Sequence, residues 1–203
     1  DALGGSSVMA FVLASQSPRR KELLWQLGWK FRIVEPGIEE KAIPGEKPEE
    51  FCRRLALEKA RAITGKFPED IVIAADTIVV VDGEIMGKPR DEEECGVMLR
   101  ALSGRTHEVM TGVAVCSGPQ CLADVETTRV SFRVLSETEI EAYIRTGEGK
   151  DKAGAYGIQG RGALLVSSID GCYFNVVGLP LHRLSLILGE LGISLTRQWE
   201  ESR

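Results

Sequence analysis

Two histidines, His107 and His182, are all the chain carries. No G-x-S-x-G nucleophile elbow accompanies them, which argues against a Ser-His-Asp hydrolase. Apolar runs are short, and none approaches the roughly 20 residues that span a bilayer, so no membrane role is expected. Positive charge is in deficit: 25 Lys and Arg stand against 30 Asp and Glu, for a net charge of −5. Wrapping DNA needs clustered cations to neutralise phosphates, so nucleic acid is not an expected partner. The five cysteines, Cys52, Cys95, Cys116, Cys121 and Cys172, are odd in number and scattered. With no signal peptide ahead of them, they speak against a secreted disulfide scaffold and for a cytoplasmic protein. Only Cys116 and Cys121 are close, and Ser117-Gly118-Pro119-Gln120 between them reads as a hairpin turn rather than half of a metal site.

What is present suffices for one large domain: 203 residues, 43% hydrophobic and 27% charged. Residues 1–8 are expected to be a tag remnant or disordered leader, and residues 9–203 a single domain. A short apolar strand over 10–14 leads into a helix over 19–27, with Pro18 at its first turn and Ser17 as cap. A strand over 31–34 follows, then a helix from Pro48 to Gly65 whose apolar positions keep helical spacing. An all-apolar strand over 71–75 resumes over 78–81 and turns at Asp82-Gly83. Asp91 caps a helix ending at Leu102, and two long β-branched strands, over 108–117 and 121–134, flank the Gly118-Pro119 turn. Ser136 and Glu139 form a capping box (S-x-x-E) for a helix ending at Arg145. A glycine-dense stretch over 147–162 precedes a strand over 163–169, and a helix over 181–191 closes the chain. Strands alternating with helices, plus one long hairpin, indicate an α/β domain with a mixed, twisted sheet and flanking helices.

Polar clusters gather at the ends of these apolar elements. Ser15-Gln16-Ser17-Pro18-Arg19-Arg20 joins a helix start, two hydroxyls and two guanidiniums, which is an anion site on physical grounds. A capped helix with solvated arginines is the plainer alternative. Asp76-Thr77 follows an apolar strand, where α/β ligands bind, or is simply a turn. Gly87-Lys88-Pro89 fixes a lysine suited to phosphate, although the spacing is not that of a Walker loop. In the stretch Asp151-Lys152-Ala153-Gly154-Ala155-Tyr156-Gly157-Ile158-Gln159-Gly160, glycines allow close backbone approach and Gln159 offers a donor and an acceptor to a base edge. The G-x-G-x-x-G order of a dinucleotide fold is missing. His107, in Ser103-Gly104-Arg105-Thr106-His107, reads as a packed residue rather than a base. The inventory suggests nucleotide phosphate chemistry.

These blocks, together with Leu13-Ala14 and Val176-Val177-Gly178-Leu179-Pro180, closely resemble the Maf family of nucleoside triphosphate pyrophosphatases, in order from about Phe11 to about Leu188. The resemblance implies a cytoplasmic, often dimeric α/β enzyme, related in fold to the inosine triphosphate pyrophosphatases. Such an enzyme cleaves a nucleoside triphosphate to monophosphate and pyrophosphate with a divalent metal, Mg²⁺ or Mn²⁺. By the same resemblance Asp76 matches the proton acceptor, and Ser15, Arg20, Lys59, Lys88 and Glu40 match phosphate- and metal-site positions. Asp76, Lys59 and Lys88 are thus the expected catalytic set, and Glu40 and Asp76 the expected metal carboxylates. Arg19, Thr77 and Gln159 match the branch acting on dTTP and UTP, where the 7-methyl-GTP branch carries Trp, Gln and Glu. The pattern does not separate canonical dTTP and UTP from modified pyrimidine triphosphates. Two departures, Gln16 for a small residue and Gly149 where Pro is frequent, touch no catalytic position. A non-catalytic nucleotide-binding regulator of cell division is the rival expectation.

Overall fold

The computed structural model describes residues 9–201; the leader expected over residues 1–8 lies outside them. Capping signals start several helices where the sequence places them. In α1 (Pro18–Gln26) the Ser17 side chain accepts from the Arg20 amide. Pro48 opens α2 (Pro48–Thr64). Asp91 Oδ1 accepts from the Glu94 amide at 2.8 Å to start α3 (Glu92–Leu102), whose acidic first turn also suits the helix dipole. Ser136 and Glu139 close the expected box on α4 (Glu137–Arg145).

Seven strands form one mixed sheet among the described residues. These are β1 (Phe11–Leu13), β2 (Phe31–Ile33), β3 (Ile71–Val81), β4 (Glu84–Met86), β5 (Thr106–Ser117), β6 (Gln120–Phe132) and β7 (Val166–Asp170), in the order β2-β1-β3-β5-β6-β7 with β4 also on β3. β1 lies parallel to β2 and β3, and the remaining pairs are antiparallel.

Alternation along β3 divides the packing. Val72 and Ala74 face α2 through Ala56, Ala60 and Ile63. On the other face Ile73 and Ala75 join α1 and the C-terminal helices α5 (Tyr173–Val177) and α6 (Leu181–Glu190) in one core. Val79, further along that same face, joins α3 and α4 in a second core. One strand therefore serves two cores on one face, and Thr77 falls between them. Each fully buried leucine, such as Leu24 or Leu99, contributes about 1.5–3 kcal/mol of transfer free energy.

Four expectations are corrected. Asp76 does not follow the strand but lies inside it: β3 runs unbroken to Val81 because β5 pairs with residues 71–80 of it throughout. Tertiary pairing here overrides the poor strand propensity of aspartate. The helix over 181–191 is not the last, since a Ser194-capped α7 (Leu195–Glu200) follows it, too short to show a period. The strand expected over 163–169 starts later, after a 3₁₀ turn, Gly160–Leu164. There Gly162 packs so closely that an added Cβ would lie 1.7 Å from the Gly157 carbonyl oxygen. Cys116 and Cys121, read only as flanks of a hairpin turn, are joined as a disulfide. They are direct partners across β5 and β6 with Cα atoms 4.1 Å apart, a proximity set by register.

Candidate active site

β1 ends opposite Ile73, and β4, running the other way, ends at Met86 opposite Val79. Between them β3 has no strand neighbour on that side among the described residues. Backbone alternation turns the Ile73 carbonyl to Ala14 and the Ala75 carbonyl to the gap, where Lys59 Nζ donates to it at 3.4 Å. Because the edge is open, side chains from both faces of β3 reach one cleft of about 340 Å³, lined by Arg19, Arg20, Glu40, Lys59, Asp76, Thr77, Lys88 and Gln159. An adjoining cavity of about 310 Å³ adds Ser15 and the start of α1, and shares Arg19, Arg20, Glu40, Lys59 and Lys88 with the first. The residues anticipated from sequence thus converge on one place, with Ser15 in the second chamber.

Asp76 and Lys59 are both buried, and Lys59 Nζ donates to Asp76 Oδ1 at 3.1 Å and to Glu40 Oε1 at 3.0 Å. Lys59 reaches β3 because α2 lies almost against β5 at Gly112, where a Cβ would stand 2.1 Å from the Cys52 carbonyl oxygen. Asp76 Oδ2 is buried with no hydrogen-bond partner. Burial pushes the Asp76 carboxyl above the ordinary carboxylate range, although Lys59 and Arg20 pull the other way. Burial also opposes ionisation of Glu40, but Glu40 is half exposed, and Lys59, Lys88 and Arg20 bring it below its ordinary value. One lysine thus serves two carboxylates, and the depth of burial separates them.

Arg20 donates from Nε to the Gly178 carbonyl at 2.7 Å and from Nη2 to Thr77 Oγ1 at 2.9 Å, and its Nη1 lies 3.5 Å from Ser15 Oγ. Burial lowers its pKa to about 10, with Asp76 acting in the opposite direction, so it remains cationic at neutral pH. Lys88 is held beside the cleft by the loop bond from Gly154 N–H to the Gly87 carbonyl. Phe51, Val79, Tyr156 and Ile158 add apolar lining to the same cleft. His107 is the packed residue expected: Nε2 lies 2.6 Å from Tyr156 Oη, and burial lowers it to about 4, leaving it neutral.

Glu148 escaped sequence reasoning. Its carboxylate accepts from Tyr143 Oη, Gly162 N–H and Arg161 N–H at 2.8–3.0 Å, and its carbonyl accepts from Lys152 Nζ. It ties down the loop that carries Gln159. The glycines flanking Glu148 were the only local signal. Thr111, paired with Thr77, and Asn175 were also missed; both are polar residues buried within apolar surroundings.

The donor set suits a hard divalent cation. Asp76 with its unpartnered Oδ2, and Glu40, are the carboxylates that would hold Mg²⁺ or Mn²⁺ alongside phosphate oxygens and water. No group of three or more His, Cys, Asp and Glu able to hold a metal occurs among the described residues, so the other ligands would come from substrate and solvent.

A sheet opened beside a buried carboxylate, with lysine and arginine side chains around the opening, defines an α/β protein of the polyphosphate-handling class. The family model of Maf-like proteins matches residues 10–191, and the chain belongs to the Maf family. Over 181 residues it is 54% identical to the dTTP/UTP pyrophosphatase of Symbiobacterium thermophilum, covering 89% of this chain and 93% of that protein. Its identity to the dTTP/UTP pyrophosphatase of Syntrophomonas wolfei is 49%, over 91% and 99%. A HAM1 protein structure from Coxiella burnetii aligns over 90% of this chain and 99% of its own at TM-score 0.49 and 16% identity. That likeness is loose, and the fold stands on its own strand order.

Proposed function

We propose that this protein hydrolyses dTTP and UTP, and modified pyrimidine triphosphates of the same shape, to the nucleoside monophosphate and pyrophosphate. The carrying observation is the buried Asp76 with a free Oδ2, in a cleft that shares Arg19, Arg20, Lys59 and Lys88 with the adjoining chamber. The triphosphate lies along Ser15, Arg19, Arg20, Lys59 and Lys88, with the nucleoside in the cleft beside Gln159. Gln159 reads the pyrimidine edge, since its amide both donates and accepts. Asp76 orients a water at the α-phosphorus and receives its proton as the new P–O bond forms. The bond to the bridging oxygen breaks, and pyrophosphate leaves with the electron pair. Lys59, Lys88 and Arg20 stabilise the charge that develops on the phosphate oxygens. A divalent cation held by Glu40 and Asp76 would neutralise further charge on the triphosphate. No helix among the described residues is long and apolar enough to cross a membrane. The proposal also takes the protein as a cytoplasmic homodimer, the dimer being tested by sedimentation.

The test is pyrophosphate release from dTTP, UTP, CTP, GTP, 7-methyl-GTP and ITP, with Mg²⁺ or Mn²⁺ and with chelator. The expected result is turnover led by dTTP and UTP, a monophosphate as second product, loss of activity on chelation, and a fall of about 10²–10⁴-fold in kcat for Asp76→Asn. Leadership by 7-methyl-GTP would overturn the base assignment. Tight nucleotide binding without turnover of any substrate would establish a non-catalytic regulator instead.

A further inference from the structure

Thr77 lines the cleft, yet its hydroxyl proton and at least one of its two acceptor sites are taken by protein atoms. It lies directly opposite Thr111 on β5, on one face of the sheet, with the two Oγ1 atoms 2.9 Å apart. Arg20 has donors only, so Nη2–H fills an acceptor site on Thr77 Oγ1. Each threonine has one proton to give. Thr111 Oγ1 lies 3.3 Å from the Asn175 carbonyl oxygen, and Thr77 Oγ1 lies 3.4 Å from that of Gly178. Whichever way the shared bond is directed, the Thr77 proton ends on Thr111 or on Gly178, and its oxygen takes Arg20.

Both terminal carbonyls belong to α5 and its cap. Gly178, at φ +135°, also turns its carbonyl onto Arg20 Nε. The helix is pinned in turn by Asn175 Nδ2, which donates to the Val109 carbonyl at 3.0 Å and to Thr128 Oγ1 at 2.9 Å. Thr111, Thr128 and Asn175 are fully buried, so the inner part of this polar chain is closed to solvent, while Thr77 and Arg20 at its outer end line the cleft.

We propose that Thr77 and Thr111 form a two-hydroxyl clamp that positions the Arg20 guanidinium, so that Thr77 serves the phosphates through Arg20 rather than reading the nucleobase, and Thr111 is a positioning residue of the site. This rests on the proposed placing of triphosphate against Arg20.

The experiment measures kcat/KM for dTTP, UTP and CTP in Thr77→Val, Thr111→Val, Thr111→Ser and the double valine variant, with the dissociation constant of tripolyphosphate, which carries no base. A net hydrogen bond of roughly 0.5–1.5 kcal/mol sets the scale. Each valine variant is expected to lower kcat/KM about 3- to 10-fold for all three substrates alike. Each should weaken tripolyphosphate binding similarly. Thr111→Ser, which keeps the hydroxyl, is expected to restore wild-type behaviour, and the double variant to be no worse than the poorer single one, since the residues act as a unit. The clamp is refuted by a changed dTTP:UTP:CTP ratio in Thr77→Val, by wild-type kinetics and binding in Thr111→Val, or by additive losses. If Thr111→Val loses its fold on thermal melting, Thr77→Val at the cleft edge carries the test. If the wild type releases no pyrophosphate but Thr111→Val still weakens tripolyphosphate binding, the clamp stands and the catalytic reading falls.

Discussion

Lys59 donates to Asp76 and Glu40 alike, yet burial leaves the first carboxyl above its ordinary range while the lysine holds the second below its own. For Asp76 the folded carboxyl keeps its proton at a pH where the unfolded chain has lost it. Its ionisation therefore works against the fold as pH rises from the unfolded value through the folded one. For Glu40 the sign reverses: its stabilisation is present above the unfolded value and is lost as pH falls through the depressed folded value. An ionised Asp76 is the one that accepts a proton, so kcat/KM should fall on the acid side at a pH above the ordinary carboxylate range. Lys59→Met removes the cation that pulls Asp76 down, so the acid limb should move to higher pH, with about a 10²-fold lower plateau. A pH–rate profile of both proteins checks this, and a limb that stays in place or moves down would exclude the coupling. Asp76, Arg20 and Lys88 were legible in sequence because each stands in a polar cluster at the end of an apolar run. Lys59 and Glu40 came only through the family resemblance, since a lysine between Leu57 and Ala60 on a helix looks like an ordinary solvated side chain.

At the scale of elements, the approach of α2 to the sheet decides whether Lys59 reaches Asp76. Gly112 stands opposite Asp76 in the register, and a Cβ there would meet backbone, 2.1 Å from the Cys52 oxygen and 2.7 Å from the Arg53 nitrogen. No rotamer change relieves contact with backbone, so Gly112→Ala should displace α2. The expected cost is about 1–3 kcal/mol, read as about 2–4 °C of melting temperature per kcal/mol at this size. A loss of kcat/KM at temperatures where the variant is fully folded should accompany it, because Lys59 moves with the helix. Unchanged melting and kinetics would show that α2 has room to spare. Caps and helical periods made most helices readable within a few residues. The continuity of β3 through Asp76-Thr77 was not readable, because a strand that breaks and a strand that pairs onward with β5 have the same local pattern. Pairing of Cys116 with Cys121 likewise waits on the register of the hairpin, which brings the two to facing positions.

Across the whole molecule a net charge of −5 coexists with a cleft lined by Arg19, Arg20, Lys59 and Lys88. A cationic opening in an acidic body focuses field on an incoming polyanion while its surroundings repel it. Raising monovalent salt from about 0.02 to 0.5 M shortens the screening length below about 5 Å. It should lower kcat/KM severalfold with kcat nearly constant, as steady-state kinetics at fixed free Mg²⁺ would show; a fall in kcat alone would contradict electrostatic capture. Short-range information determined much of this protein from sequence alone: where helices start at Ser17, Asp91 and Ser136, which strands are buried, which polar clusters bear charge, and the family they resemble. Tertiary structure alone decided that β1 and β4 end on either side of a gap in β3, so that both faces of one strand open into a single cleft. It alone brought Lys59 onto Asp76 across Gly112 and committed Thr77 to Arg20 and Thr111. Capping and periodicity act over a few residues and are written locally. Strand order, register and the depth of burial that shifts a carboxyl depend on segments far apart in the chain, which no local window contains.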